Sequence, residues 1–318
     1  MKKRCAHIFT AGMFLLLLLV SSGCTSAEGS SGSEDSAAGS EASAAGETEK
    51  EQSPPEAEEE QEYRIVSTSV AVAEMTDALE IDLIGIPKSY KELPERYDGV
   101  TVVGNAKTPD MELLKSMDPT EVLSVTSLEY DLTPVFEGAG IAAHFLDLQS
   151  LEGMKHEIDR LGKKYQREDQ AAALIASFDD KVAEVQQVAA GKQSPTVLIL
   201  LGVPGSYLVA TENSYIGNLV KIAGGKNIVE GEEVEFLASN TEYLQQANPE
   251  VILRAAHGMP EEVVEMFDDE FRENDIWKHF DAVKNDRVYD LEELLFPTTG
   301  TIRVADALDA LMEMLYPQ

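Results

Sequence analysis

Beyond position 24 the sequence has no cysteine: the two present, Cys5 and Cys24, both fall within the first 24 of 318 residues. Disulfides, zinc–thiolate sites, iron–sulfur clusters and cysteine nucleophiles are thereby excluded from the rest of the chain. Positive charge is scarce as well, with 25 Lys and Arg against 58 Asp and Glu, a formal net charge of −33. Nucleic-acid binding needs a basic footprint on phosphate, so no nucleic-acid partner is expected. The chain shows no Gly-rich phosphate loop, no His-x-x-x-His pair and no nucleophile–base signature, and it is read as a non-enzyme. What it does have is 43% apolar residues. That is too many for a fully disordered chain and too few, in runs too short, for a polytopic membrane protein.

The start of the chain reads as a leader. Lys2, Lys3 and Arg4 precede an apolar stretch from Ala11 to Val20, followed by Ser21-Ser22-Gly23-Cys24. A positive start, a short apolar core and small residues at the cut make a signal peptide over 1–24. A cysteine just after the small residues resembles the bacterial lipobox, with Ser21 where leucine is usual. Cys24 is the expected site of lipidation, because two or three acyl chains hold a protein on a membrane where one does not. Residues 25–62 hold 12 acidic residues, one lysine, and no Val, Leu, Ile, Met or aromatic. Such a segment has nothing to bury, and its like charges extend it. It is read as a disordered acidic tether between the extracytoplasmic face of the membrane and a folded part.

From residue 63 the pattern alternates. Strand-like runs fall at Arg64–Val66, Ile81–Ile86, Val100–Val103, Val122–Val125 and Ala142–Leu148, with helical periodicity from Val70 to Leu79 and from Pro109 to Met117. Ser67, Thr68 and Ser69 supply N-cap chemistry for the first helix. From Leu151 to about Val188 apolar residues recur at helical spacing without a proline, which predicts one long helix or two in near succession. A second α/β series follows, with strands at Val197–Leu201, Val251–Leu253 and Arg287–Tyr289 and a closing helix from Asp306 to Tyr316. The expectation is an α/β protein of two lobes, 63–150 and 191–318, joined by a long backbone helix in 151–190, with the ligand cleft between the lobes. In each half a glutamate, Glu112 or Glu242, stands seven residues before a proline that leads into a buried strand. The matched spacing supports paired lobes.

The runs Gly85–Tyr97, Gly202–Thr211, Ser214–Gly217, Ile222–Gly225, His257–Val263, Asn274–Phe280 and Val288–Glu293 resemble those of the substrate-binding lipoproteins of bacterial iron-siderophore, cobalamin and haem importers. More narrowly, they are similar to the haem-receptor lipoproteins of the iron-regulated surface determinant system. The resemblance implies two lobes with little hinge motion and haem as transported ligand. It also implies an ABC transporter permease as partner, an upstream haem-donor surface protein and a lipid anchor. A siderophore- or cobalamin-type cargo is the alternative within the class, and a chelatase-like enzyme the alternative outside it.

By the same resemblance the haem iron takes a histidine from the second lobe and a methionine from the first. The histidine corresponds to His257, which follows an apolar strand where the chain end meets a cleft. Read from the residues alone, it is equally a loop histidine bonded to backbone. The methionine slot, three residues after Gly104 and two before Pro109, holds Lys107. Lysine ligates iron only when deprotonated, against a free pKa near 10.4, and its other role is pairing with a haem propionate. Met111, about one helical turn on, is either a second ligand or a core residue of its short helix. Propionates are anions, and helix-start amides attract them. Val70 and Ala71, and the turn Ser89-Tyr90-Lys91, are the candidate ligand-binding residues. Glu112 and Glu242 correspond to the class's permease-docking glutamates, or are simply solvated.

Overall fold

A computed structural model describes residues 63–239, 244 and 246–317, all within the compact unit Glu59–Gln318. The leader, Cys24, the tether and Glu242 lie outside the described residues.

The first lobe is a parallel five-stranded sheet. In chain order it contains β1 (Ile65–Ser67), α1 (Val70–Ala78), β2 (Gly85–Ile86), β3 (Thr101–Val102), the hairpin pair β4 (Gly104–Asn105) and β5 (Thr108–Pro109), α2 (Met111–Met117), β6 (Glu121–Val125), α3 (Glu129–Ala139) and β7 (Ala143–Leu146). The sheet order is β3-β2-β1-β6-β7. β6 is buried along its whole length, as expected of a central parallel strand covered on both faces.

Of the one long helix or two in near succession expected here, the structure has two. α4 (Leu151–Lys164) and α5 (Glu168–Ala189) are separated by a turn at 165–167, and α5, about 33 Å long at 1.5 Å per residue, is the long one. Their close approach is set by Gly162, where a Cβ would stand 2.5 Å from the Cβ of Ala171.

The second lobe contains β8 (Thr196–Val203), β9 (Ser206–Ala210), α6 (Tyr215–Ile222), β10 (Lys226–Asn227), β11 (Phe236–Ala238), β12 (Val251–Ala256), α7 (Pro260–Glu273), α8 (Asp281–Lys284), β13 (Val288–Leu291) and α9 (Val304–Leu315). The order β11-β9-β8-β12-β13, with β10 beside β8, makes a mixed sheet: β8–β9 and β9–β11 are antiparallel. Neither β9, β11 nor α7 was among the expected elements. Within β12, Arg254 is only 8% exposed. Its guanidinium is met by both oxygens of Asp290 at 2.7 and 2.6 Å and by Asp268 at 2.9 Å. This pairing lets a charge sit in a buried strand.

One apolar cluster crosses the whole unit. It runs from β1 and α1 through Leu151, Met154, Ile158 and Leu161 of α4 and Phe178 and Val185 of α5 to β8, α6 and α9. The two sheets thus share a continuous core through the connecting helices. Close-packed interiors transmit displacement rather than absorb it, so this arrangement opposes hinge motion between the lobes.

Candidate ligand-binding cavity between the two lobes

Helix starts and strand ends converge on a cavity of about 920 Å³, within the range of about 300–1,000 Å³ typical of ligand pockets. From the first lobe come the start of α1, the loop after β2, the tip of the β4–β5 hairpin and the end of β6. From the second come β11, His257 after β12, and the segment after β13. The wall is mixed. Val70, Ala71, Val125, Leu128, Phe236 and Leu294 give apolar surface, while Lys88, Lys91 and Lys107 oppose Glu74, Glu235 and Glu293.

His257 stands where β12 ends. Its backbone N–H still bonds Gly202 O at 2.9 Å, so the strand fixes the residue's root. Gly258 and Met259 then both take positive φ, +69° and +50°, turning the chain sharply into α7 with Pro260 at its first turn. Gly258 permits the first of these at no steric cost. The ring faces the open cavity, yet protein surrounds much of it. Burial lowers its pKa; Glu293 opposes that effect, and Lys91 and Lys107 add to it. A neutral imidazole has one lone pair to offer.

α1 begins at Ser69 without a side-chain cap, whereas Asp110, Ser150 and Ser214 cap α2, α4 and α6. The Ser67 hydroxyl, expected to serve a cap, instead donates to Ser69 O at 2.8 Å. The first-turn amides of Val70 and Ala71 are therefore left uncapped at the cavity wall, the polarity that favours an anion. Across a short gap, Ser89 Oγ accepts the Lys91 N–H at 2.8 Å, shaping the turn that carries Tyr90.

Sequence reasoning assigned no role to Glu293, although it closes one of the quoted runs. It is 8% exposed and accepts from Tyr90 Oη at 2.5 Å and from the Gly258 N–H at 3.3 Å, with Lys91 Nζ at 3.6 Å. Burial and the Glu293 charge push the Tyr90 phenol upward. Glu74 and Glu235 were also unanticipated. Burial raises the pKa of Glu74, whose carboxylate meets Thr301 Oγ1 at 3.2 Å. Burial, then the nearby Asp147, pushes Glu235 up to about 7 against the opposing hydrogen bond from Gln149.

The structure brings together Val70, Ala71, Ser89, Tyr90, Lys91, Lys107 and His257 on one cavity. Met111 is not with them. It packs against Val66, Val103, Leu114 and their neighbours in a separate core cluster of the first lobe, because the first turn of α2 rests on the sheet. Of the two expectations for Met111, second ligand or core residue, this position is that of the core residue. Glu112 is exposed on the same turn, off the cavity wall.

The periplasmic binding protein family matches residues 65–294. The chain belongs to that family. Among curated relatives, the high-affinity heme uptake system protein IsdE of Staphylococcus aureus (strain Newman) is 45% identical over 256 residues, 80% of this chain and 88% of the relative. Among solved structures, an ABC transporter substrate-binding protein from Listeria monocytogenes EGD-e is 53% identical with a TM-score of 0.77, covering 81% of this chain and 100% of that one. S. aureus IsdE complexed with heme also has a TM-score of 0.77, at 45% identity, covering 80% of this chain and 99% of that one.

Proposed function

We propose that the protein is an extracytoplasmic haem-binding receptor that hands its cargo to the permease of an ABC importer. The observation that carries this reading is His257, an imidazole held toward its neutral form on the wall of an inter-lobe cavity. A planar, largely apolar ligand with an iron centre and two carboxylates suits the rest of the wall. Apolar side chains receive the ring, while Lys88, Lys91 and the α1 amides face the carboxylates. Haem is held at iron by such a nitrogen donor. The relatives named for heme uptake and for a heme complex, both at 45% identity, support the same cargo.

The reading extends to the remainder of the chain. Lipidated Cys24 and the acidic segment 25–62 would tether the receptor outside the membrane, and no helix among the described residues is long and apolar enough to cross one. Haem arrives from an upstream surface protein and leaves through the permease, which Glu112 and Glu242 meet. A siderophore- or cobalamin-type cargo is less well supported, since the relatives at 45% identity are named for heme.

The test is an absorption titration of the purified protein with ferric haem. A Soret band saturating at one equivalent is expected. In His257→Ala that band is lost or strongly shifted while the far-UV circular dichroism is kept. A wild-type protein that produces no bound Soret band overturns the proposal.

A further inference from the structure

His257 is the one imidazole on the cavity wall among the described residues, and neither methionine nor cysteine joins it there. The opposite wall presents the tip of the β4–β5 hairpin, where Lys107 stands. A lysine ammonium has three donors and no lone pair. Asn105 Oδ1 on the same hairpin already accepts from Thr108 N and Oγ1, both at 3.0 Å. The three wall carboxylates are engaged as well: Glu74 by Thr301, Glu235 by Gln149, and Glu293 by Tyr90 and Lys91. The Tyr90 phenol gives a hydrogen bond to Glu293 and so keeps its proton. The nearest thioether in sequence, Met111, is packed into the first lobe's core.

We propose that the cavity holds its porphyrin through one axial bond, from His257, so that its cargo class is the five-coordinate metalloporphyrins, zinc(II) protoporphyrin as well as haem. The inference rests on the haem reading above and narrows it. Haem iron takes up to two axial ligands. Zinc in a porphyrin is satisfied by four pyrrole nitrogens and one axial base, and imidazole nitrogen is among its preferred donors. A pocket with donors on both faces favours iron, because only iron uses the second. A pocket with one donor has no such means of telling the metals apart. The porphyrin edge is identical in both, so Lys88, Lys91 and the α1 amides serve either.

The experiment titrates the purified protein with haem, zinc protoporphyrin and metal-free protoporphyrin, read by the Soret band, zinc-porphyrin fluorescence and the thermal shift each ligand produces. Zinc protoporphyrin should bind within about tenfold of haem, and the metal-free ring more than about tenfold below both, each factor of ten being one step on the free-energy scale of binding. His257→Ala should weaken haem and zinc protoporphyrin by similar factors. Lys107→Met, which supplies a thioether to the second face, should raise the ratio of haem to zinc-porphyrin affinity by about tenfold or more. Haem binding with zinc protoporphyrin more than about 100-fold weaker, or an affinity ratio that Lys107→Met leaves unmoved, overturns the single-bond inference and leaves the haem reading standing. Failure of every porphyrin to bind overturns the haem reading itself.

Discussion

Tyr90 and Glu293, 203 residues apart in sequence, meet across the cleft through a 2.5 Å hydrogen bond from the phenol to the carboxylate. Because Glu293 also receives the Gly258 N–H and faces Lys91, one side chain joins the first lobe's β2 loop to the turn that follows His257. Tyr90 is 69% exposed, so its hydrogen bond alone is worth about 1 kcal/mol. Tyr90→Phe should therefore cost about that much stability and leave the fold intact. Glu293→Ala removes all three contacts at once. It should speed amide exchange at both 88–91 and 257–259, two segments distant in sequence. Exchange that quickens at only one of them would show that Glu293 does not couple them.

How legible this was in the sequence depends on where each backbone group finds its partner. Short, mainly apolar runs such as Val122–Val125 and Val251–Leu253, each preceded by a proline, became buried parallel strands, as runs of that length between turn signals do. Ile81–Leu83, with Asp82 at its centre, is not strand. The Ile81 N–H bonds Thr76 O at the end of α1, and the pairing with β1 starts only with Ile84 N–H to Ile65 O. The hairpin partner β9 is half-exposed at its start and pairs antiparallel with β8 across the tight Pro204-Gly205 turn, so its short run lacks the continuous apolar signal of the central strands. At the cavity, the Ser89–Lys91 turn was legible from the proline before it and His257 from its place at a strand end, but the role of His257 as a ligand came only with the resemblance. Glu74, Glu235 and Glu293 were not, because their significance comes from partners up to 227 residues away.

The placement of Met111 in the core and of Lys107 on the cavity wall fixes an expected spectrum. With His257 as the one strong axial donor, ferric haem should be largely high-spin and should take up cyanide or imidazole readily. Met111→Ala should leave that spectrum unchanged and instead cost about 1–2 kcal/mol of stability, below the value for a fully buried methionine because the residue is only partly buried. Lys107→Met should move the spectrum toward low spin. A low-spin wild type that turns high-spin in Lys107→Ala would mean that the lysine binds iron itself, and a loss of low spin in Met111→Ala would mean that α2 rearranges on loading.

Glu112 sits exposed in the first turn of α2, whose N-cap is Asp110. Both acids lie at the positive end of the helix dipole, which stabilises them there. An exposed glutamate contributes little to folding, so Glu112→Lys should leave melting temperature and haem affinity within error of wild type. If this surface meets positive charge on a permease, the reversal places like charges in contact. Haem-dependent growth through the importer should then fall severalfold, and further when Glu242→Lys is added. Uptake by the double variant at the wild-type rate would remove these glutamates from the docking surface.

Glu235 gives the cavity a pH dependence whose sign follows from its environment. Burial beside Asp147 raises its folded-state pKa to about 7, above the value of about 4.3 expected in the unfolded chain. Below about 4.3 both states carry the proton and the residue costs nothing. Between that pH and about 7 the unfolded state ionises while the folded state resists, so stability falls as pH rises, and the cost levels off above 7. Glu235→Gln has no such titration. Its melting temperature should match wild type near pH 4 and exceed it at pH 8, with the gap opening between. The same ionisation places a negative charge beside Phe236 on the cavity wall, where it opposes an anionic cargo. Affinity for haem should therefore decline from pH 6 to pH 8 in wild type and decline less in Glu235→Gln. A stability gap that does not widen over this range would show that Glu235 is ionised throughout, and that solvent reaches it more freely than its place between Gln149 and Asp147 implies.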